Sequence, residues 1–277
     1  MDKHFELTDK FIINAFGIKL LQIKCTRKIK HADVGDLGGY IEKEDNLSGD
    51  AWVSGNAKVS GDAQVSGNAW VSGDAKVSGN AWVSGDAKVS GDAKVSGNAW
   101  VSGDAKVYGN AQVSGDAKVY GNAQVYGNAQ VCGNAQVCGN AQVCGDAWVS
   151  GNAKVYGDAW VSGDAQVCGD AQVSGDAQVC GNAQVCGNAQ VCGNAWVSGD
   201  AKVSNNNEHC GFDCFGSVNR HTHAYKTQSG KVEIICGCFR GSIEEFEEQV
   251  KKTHQGNEFE RQYMAIAEVI KIKFGLK

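Results

Sequence analysis

The chain has 277 residues, with 37 Gly, no Pro and a net charge of −5. A mildly acidic chain without a basic run does not suit a nucleic-acid partner. No stretch of about 18 apolar residues is present, which excludes a helical membrane span. No apolar run followed by a small-residue cleavage site opens the chain, so a cytoplasmic protein without a secretory leader is expected.

In chain order, residues 11–15 and 18–25 are predicted as two strands with Gly17 at the turn between them. They give residues 1–40 the role of a small N-terminal β cap, which a stack of open strands needs at its end. Gly35, Gly38 and Gly39 follow. They match neither a phosphate-binding loop nor a dinucleotide fingerprint, and they are assigned to turns.

Beyond this point the chain is a repeat, G-[ND]-A-[WKQ]-V-[SCY]. Val recurs at every sixth residue from Val53 to Val203, giving 26 copies with Ala two places before each. Leu47 and Ile41 extend the phase backwards, with Gly39 as the small residue before Ile41. In an extended A-x-V segment Ala and Val share one side and the residue between them points to the other. Ala and Val therefore fill an interior, while Trp, Lys or Gln and Ser, Cys or Tyr face outward. Gly followed by Asn or Asp supplies the corner, because these residues tolerate the left-handed backbone. Burial of one Val contributes about 1.5–3 kcal/mol, so a single hexad is marginal and stacking is required. Seven of the twelve Cys replace Ser at one fixed position of this repeat. They are read as reduced thiols produced by drift after duplication, not as a disulfide framework.

The A-x-V hexads resemble the hexapeptide-repeat superfamily of left-handed parallel β-helices. That resemblance implies an all-β solenoid with three hexads to a triangular coil, about nine coils over residues 41–204. Columns of outward residues then lie 18 apart. Trp52 stacks on Trp70, Trp82 on Trp100 and Tyr108 on Tyr126, forming a candidate binding surface. The lead-in GDLGGYIEKEDNLSGDAWV and the later run CGCFRGSIEEFEEQVKKTH resemble segments of uncharacterised bacterial and prophage hexapeptide-repeat proteins, some labelled putative acyltransferases. The resemblance implies an acyl-CoA-dependent transferase with a general-base His in or beside the coils, and homotrimers. Here no His and no inserted loop occurs between residues 50 and 204, and His209 is the nearest candidate.

Residues 205–277 are predicted as a small α+β module. Residues 224–228 and 231–236 form a hairpin around Ser229-Gly230. Ser242 and Glu245 make a capping box that opens a helix running to about His254, with Ile243, Phe246 and Val250 on one face. A second helix carries Phe259, Tyr263, Ile266 and Ile270. Cys210, Cys214, Cys236 and Cys238, with His221 and His223 close in sequence, form a weak candidate zinc set, because C-x₃-C and C-x-C are not the paired C-x₂-C spacing. No catalytic residue and no cofactor is assigned. The leading functional reading is a non-catalytic, phage- or prophage-associated scaffold that recognises a protein partner, or associates with itself, with recognition in the C-terminal module. The alternatives are the acyltransferase, and a phage binder that sequesters a host protein or small signalling molecule.

Overall fold

The computed structural model describes residues 3–276, which divide into two compact units at Tyr156/Gly157. In the first, a strand of two residues occurs once per hexad, from Trp52–Val53 to Lys154–Val155. Strands pair in parallel with those 18 residues away, as in Val53 with Val71 and Val65 with Val83. Three hexads therefore close one coil, and three parallel sheets result. The Ala and Val side chains of these coils are fully buried, as the alternation requires. The second unit repeats this arrangement from Trp160–Val161 to Lys202–Val203. Together they make the chain a parallel β-solenoid.

The corners explain the invariant glycine of the repeat. From Gly55 to Gly199 these residues have φ between +60° and +74°. A Cβ built on Gly97 would lie 2.9 Å from the Gly115 nitrogen and 3.0 Å from its oxygen in the next coil. Both conformation and space therefore demand glycine. The Asn or Asp after it continues the stack: Asn80 Nδ2 donates to Asn98 Oδ1 (3.1 Å), and Asn98 Nδ2 to Asp116 Oδ1 (2.8 Å). An Asn can receive and pass on such a bond, whereas an Asp ends the run because it has no donor.

A second set of bonds ties coil to coil along the faces. The indole N–H of Trp70, Trp82 and Trp100 donates to the hydroxyl of Ser54, Ser66 and Ser84, each sixteen residues earlier, at 2.8, 3.0 and 3.4 Å. Trp148 reaches the Cys132 sulfur in the same way at 3.0 Å. Tyr108 and Tyr126 donate forward to the side-chain oxygens of Gln124 and Gln142, again sixteen residues away. The outward residues are thus structural partners of one another.

At the N-terminal end, strands Phe5–Ile13 and Lys19–Cys25 pair antiparallel, with Gly17 at φ +78° in the turn. The expected strand at 11–15 in fact begins at Phe5, because Phe5 and Leu7 find Cys25 and Ile23 opposite them. Lys19–Cys25 pairs with Leu37–Ile41, which joins the first coil through Ile41 and Val59. Only Gly35 of the three glycines has the positive φ of a turn residue. Gly38 and Gly39 lie inside the strand. A Cβ on them would sit 2.6 Å from the carbonyl oxygens of Val53 and Ala57 respectively, so they permit close backbone approach.

In the second unit the chain after the last coil forms an antiparallel sheet of four strands in order: His209–Phe215, Arg220–Lys226, Val232–Cys236 and Phe239–Gly241. The hairpin around Ser229-Gly230 is present, flanked by two further strands that the sequence reading did not contain. Helices α1 (Ile243–His254) and α2 (Glu258–Phe274) cover one face, burying Phe246, Val250, Tyr263 and Ile270 against Ala224 and Ile234. Ser242 and Glu245 make the predicted capping box. Among the described residues no helix is long and apolar enough to cross a membrane.

Candidate functional site

The outward aromatic columns are in the predicted register but differ in access. Trp82 and Trp100 stack at 5.5 Å and remain 44% and 41% exposed. Tyr108 and Tyr126 stack at 5.0 Å and are half-buried. Trp52 does not belong to an exposed patch: it is 2% exposed, with the His4 ring 6.4 Å away, and His4 Nε2 lies 2.8 Å from the Ala51 carbonyl oxygen. Trp70 is stacked under His31 at 5.2 Å. The N-terminal cap takes this end of the column, and a cap contact is not visible in a repeat pattern.

The four cysteines of the zinc candidate are not brought together. The register places Cys210 opposite Ala224, and Ala224 opposite Ile234 on the next strand, with Cys236 two residues on. Cys210 and Cys236 are thus two strand spacings and two residues of strand rise apart, about 12 Å. Cys236 is buried and receives the Thr222 hydroxyl at 3.2 Å, while Cys214 and Cys238 are exposed. Burial pushes the Cys210 thiol up to about 11. Among the described residues, no group of three or more His, Cys, Asp or Glu surrounds a metal position.

The register instead assembles a line of imidazoles. In Arg220–Lys226 the residues His221, His223 and Tyr225 share the face turned away from the helices, and His209, Gly211 and Asp213 share it on the neighbouring strand. The rings of His209 and His223 stack at 5.4 Å, and those of His221 and His223 at 5.6 Å. His221 Nδ1–H donates to Asp213 Oδ1 at 2.5 Å, and its Nε2 is 3.4 Å from His223 Nδ1. Donation to Asp213 leaves the Nε2 of a neutral His221 as an acceptor, so His223 donates from Nδ1. His223 Nε2 is then a bare lone pair, buried and without a partner, and His209 Nδ1 is likewise buried without a partner. His223 is 1% exposed; burial, reinforced by its His209 and His221 neighbours, holds its pKa well below the ordinary value. Asp213 is held down by the His221 hydrogen bond. The same face meets the last coil, where Tyr225 donates to the Ser198 carbonyl at 3.1 Å and Asn194 to Asp213 at 3.3 Å.

Of the hollows that adjoin this sheet, two share Arg220 and Cys238. One, about 390 Å³, is walled by Phe239, Phe246, Val250 and Tyr263, with Arg220 and His254 among its polar lining residues. The other, about 340 Å³, lies beside Trp196, His221 and His223. No carboxylate lines either, and Arg220 forms no ion pair with any described residue. Sequence reading missed Arg220, whose only signal was its place immediately before His-Thr-His, on the same strand face as Thr222.

The fold and these surfaces define a β-solenoid repeat protein, and comparison with known proteins agrees. Residues 63–78, overlapping segments from 111 to 151, residues 165–181 and an overlapping pair from 183 to 205 are similar to the YdcK beta solenoid repeat. No curated protein matches the chain.

Proposed function

We propose that the protein is a non-catalytic solenoid scaffold whose C-terminal module recognises a protein partner at the hollows that meet on Arg220. The observation that carries this reading is the contrast in surface chemistry. Along the coils, Trp, Tyr, Asn and Ser side chains are engaged with one another at fixed offsets. At the module an arginine without a carboxylate lies between two cavities. Ligand sites are concave and mostly apolar with a few convergent polar groups, which describes the module and not the coil faces. An acyl-transfer reading has less support. His209 is stacked on His223 in the cap, and burial lowers its pKa, which weakens it as a base at an open site.

The test is affinity capture from cell extract with the intact chain and two variants, read by mass spectrometry. Arg220→Glu is expected to lose the captured partner at least tenfold. The double variant Trp82→Gln/Trp100→Gln is expected to retain it. Loss with the coil variant and retention with Arg220→Glu would move recognition to the coil faces and refute the proposal.

A further inference from the structure

We infer that the larger hollow is a receptor for a free chain end: the C-terminal carboxylate of a partner whose last residue is aromatic. The inference rests on the placement of recognition at Arg220 proposed above. Three observations carry it. First, the walls are aromatic: Phe239, partly exposed, lies 5.4 Å from Phe246, and Phe246 meets Tyr263 edge to face at 6.0 Å and 89°. Aromatic rings prefer tilted and offset contacts of this kind.

Second, the polar side of the hollow is cationic. Arg220 reaches it over Gly237, where a Cβ would lie 2.5 Å from the guanidinium and push it from its present position. In a chain of net charge −5, a cavity with an unpaired guanidinium and no carboxylate is complementary to an anion. Guanidinium matches a carboxylate in a two-bond fork, a stronger and more directional contact than a lysine makes.

Third, a second cavity shares Arg220 and Cys238 with the first and opens on the other face of the sheet, beside Trp196. A peptide that puts its carboxylate on Arg220 has the second available for the residues before its terminal ring. Capture of a C-terminal carboxylate beside a side-chain pocket is an established mode of peptide recognition.

The experiment uses the full chain and fluorescence polarisation with a labelled hexapeptide, Gly-Ser-Gly-Ser-Gly-Phe, carrying a free carboxylate. Saturable binding is expected, at least tenfold weaker for the same peptide with a C-terminal amide. Arg220→Met is expected to bind acid and amide equally, and Thr253→Trp, which fills the cavity from α1, to bind neither. N-acetylphenylalanine, as an unlabelled competitor, is expected to be at least tenfold weaker than the unlabelled peptide. Equal binding of acid and amide to the unaltered chain, no saturable binding of the acid, or discrimination surviving in Arg220→Met would each overturn the inference. N-acetylphenylalanine as strong as the peptide would replace the chain end by a free aromatic carboxylate and overturn it likewise. Partner capture that still depends on Arg220 would in every one of these cases leave the broader reading standing. Capture indifferent to Arg220 would remove that reading even if the peptide binds.

Discussion

Gly97→Ala is expected to destabilise the first unit by about 3 kcal/mol, the sum of a left-handed backbone that Ala adopts at a penalty and a clash with fixed backbone. Gly97 has φ +70°, and the new methyl would meet the nitrogen, oxygen and Cα of Gly115 at 2.9, 3.0 and 3.2 Å. These atoms cannot turn aside as the end of a side chain can. They belong to a coil whose carbonyls already accept from the coil of Gly97: Asn98 N donates to Gly115 O at 2.8 Å, and Trp100 N to Ala117 O at 2.9 Å. Gly17→Ala is the control. Gly17 also has positive φ, +78°, but nothing lies within 4 Å of its added carbon. Only the conformational penalty applies there, about 1 kcal/mol. Urea unfolding followed by tryptophan fluorescence measures both. Equal effects at the two positions would show that contact between stacked corners contributes nothing.

Acid is expected to loosen the second unit well above the pH range in which ordinary carboxylates titrate, and His223 is the reason. In the unfolded chain this histidine takes up a proton near pH 6.5, whereas in the fold burial keeps it neutral to a much lower pH. Protons therefore bind the unfolded state preferentially. The stability is complete above pH 6.5 and is lost as pH falls from there toward the folded pKa, by up to about 1.4 kcal/mol per pH unit for one group. The surroundings of His223 cannot offset this. His221 and Tyr225 on its own strand and His209 on the next supply no anion against it, and Lys273 of α2 disfavours a charge on His209. Asp213, the nearby carboxylate, is bonded to His221. His223→Leu is expected to reduce the slope of unfolding free energy between pH 6.5 and 5.5 by about 0.7 proton, roughly 1 kcal/mol per unit. The expected sign is a variant that is relatively more stable in acid. An unchanged slope would mean that His223 does not carry the acid response.

The solenoid was legible because its period is a physical instruction. Small-x-Val on a strand fixes which atoms are inside, and Gly before Asn or Asp fixes where the chain turns. The capping box at Ser242 and the apolar face of α1 were legible for the same reason, being local. The knitting of the faces was also present in the sequence, and a coil length of 18 makes it readable. Every Trp from Trp70 to Trp196 has Ser or Cys sixteen residues before it, and Tyr108, Tyr120, Tyr126 and Tyr156 each have Gln sixteen after. Trp52 and the module resisted reading because their contacts are not periodic. His4 reaches Trp52 from 48 residues away, and the imidazole line depends on pairing Gly211 with His223 across a turn that includes left-handed Asn219. Arg220 acquires meaning only once α1 and the strand ending at Cys236 enclose a cavity beside it.

The central claim is that the coils are structural and equivalent while recognition belongs to the C-terminal module. Deleting residues 109–126 tests it most directly. One whole coil is removed without disturbing the phase, so Gly127 follows Tyr108 and Gln142 moves to sixteen residues after that tyrosine, in place of Gln124. The measurement is partner capture by the shortened chain, with cooperative unfolding confirming that it folds. Capture at the level of the intact chain is predicted. A folded, shortened protein that no longer captures the partner would show that the coil faces themselves are the binding surface.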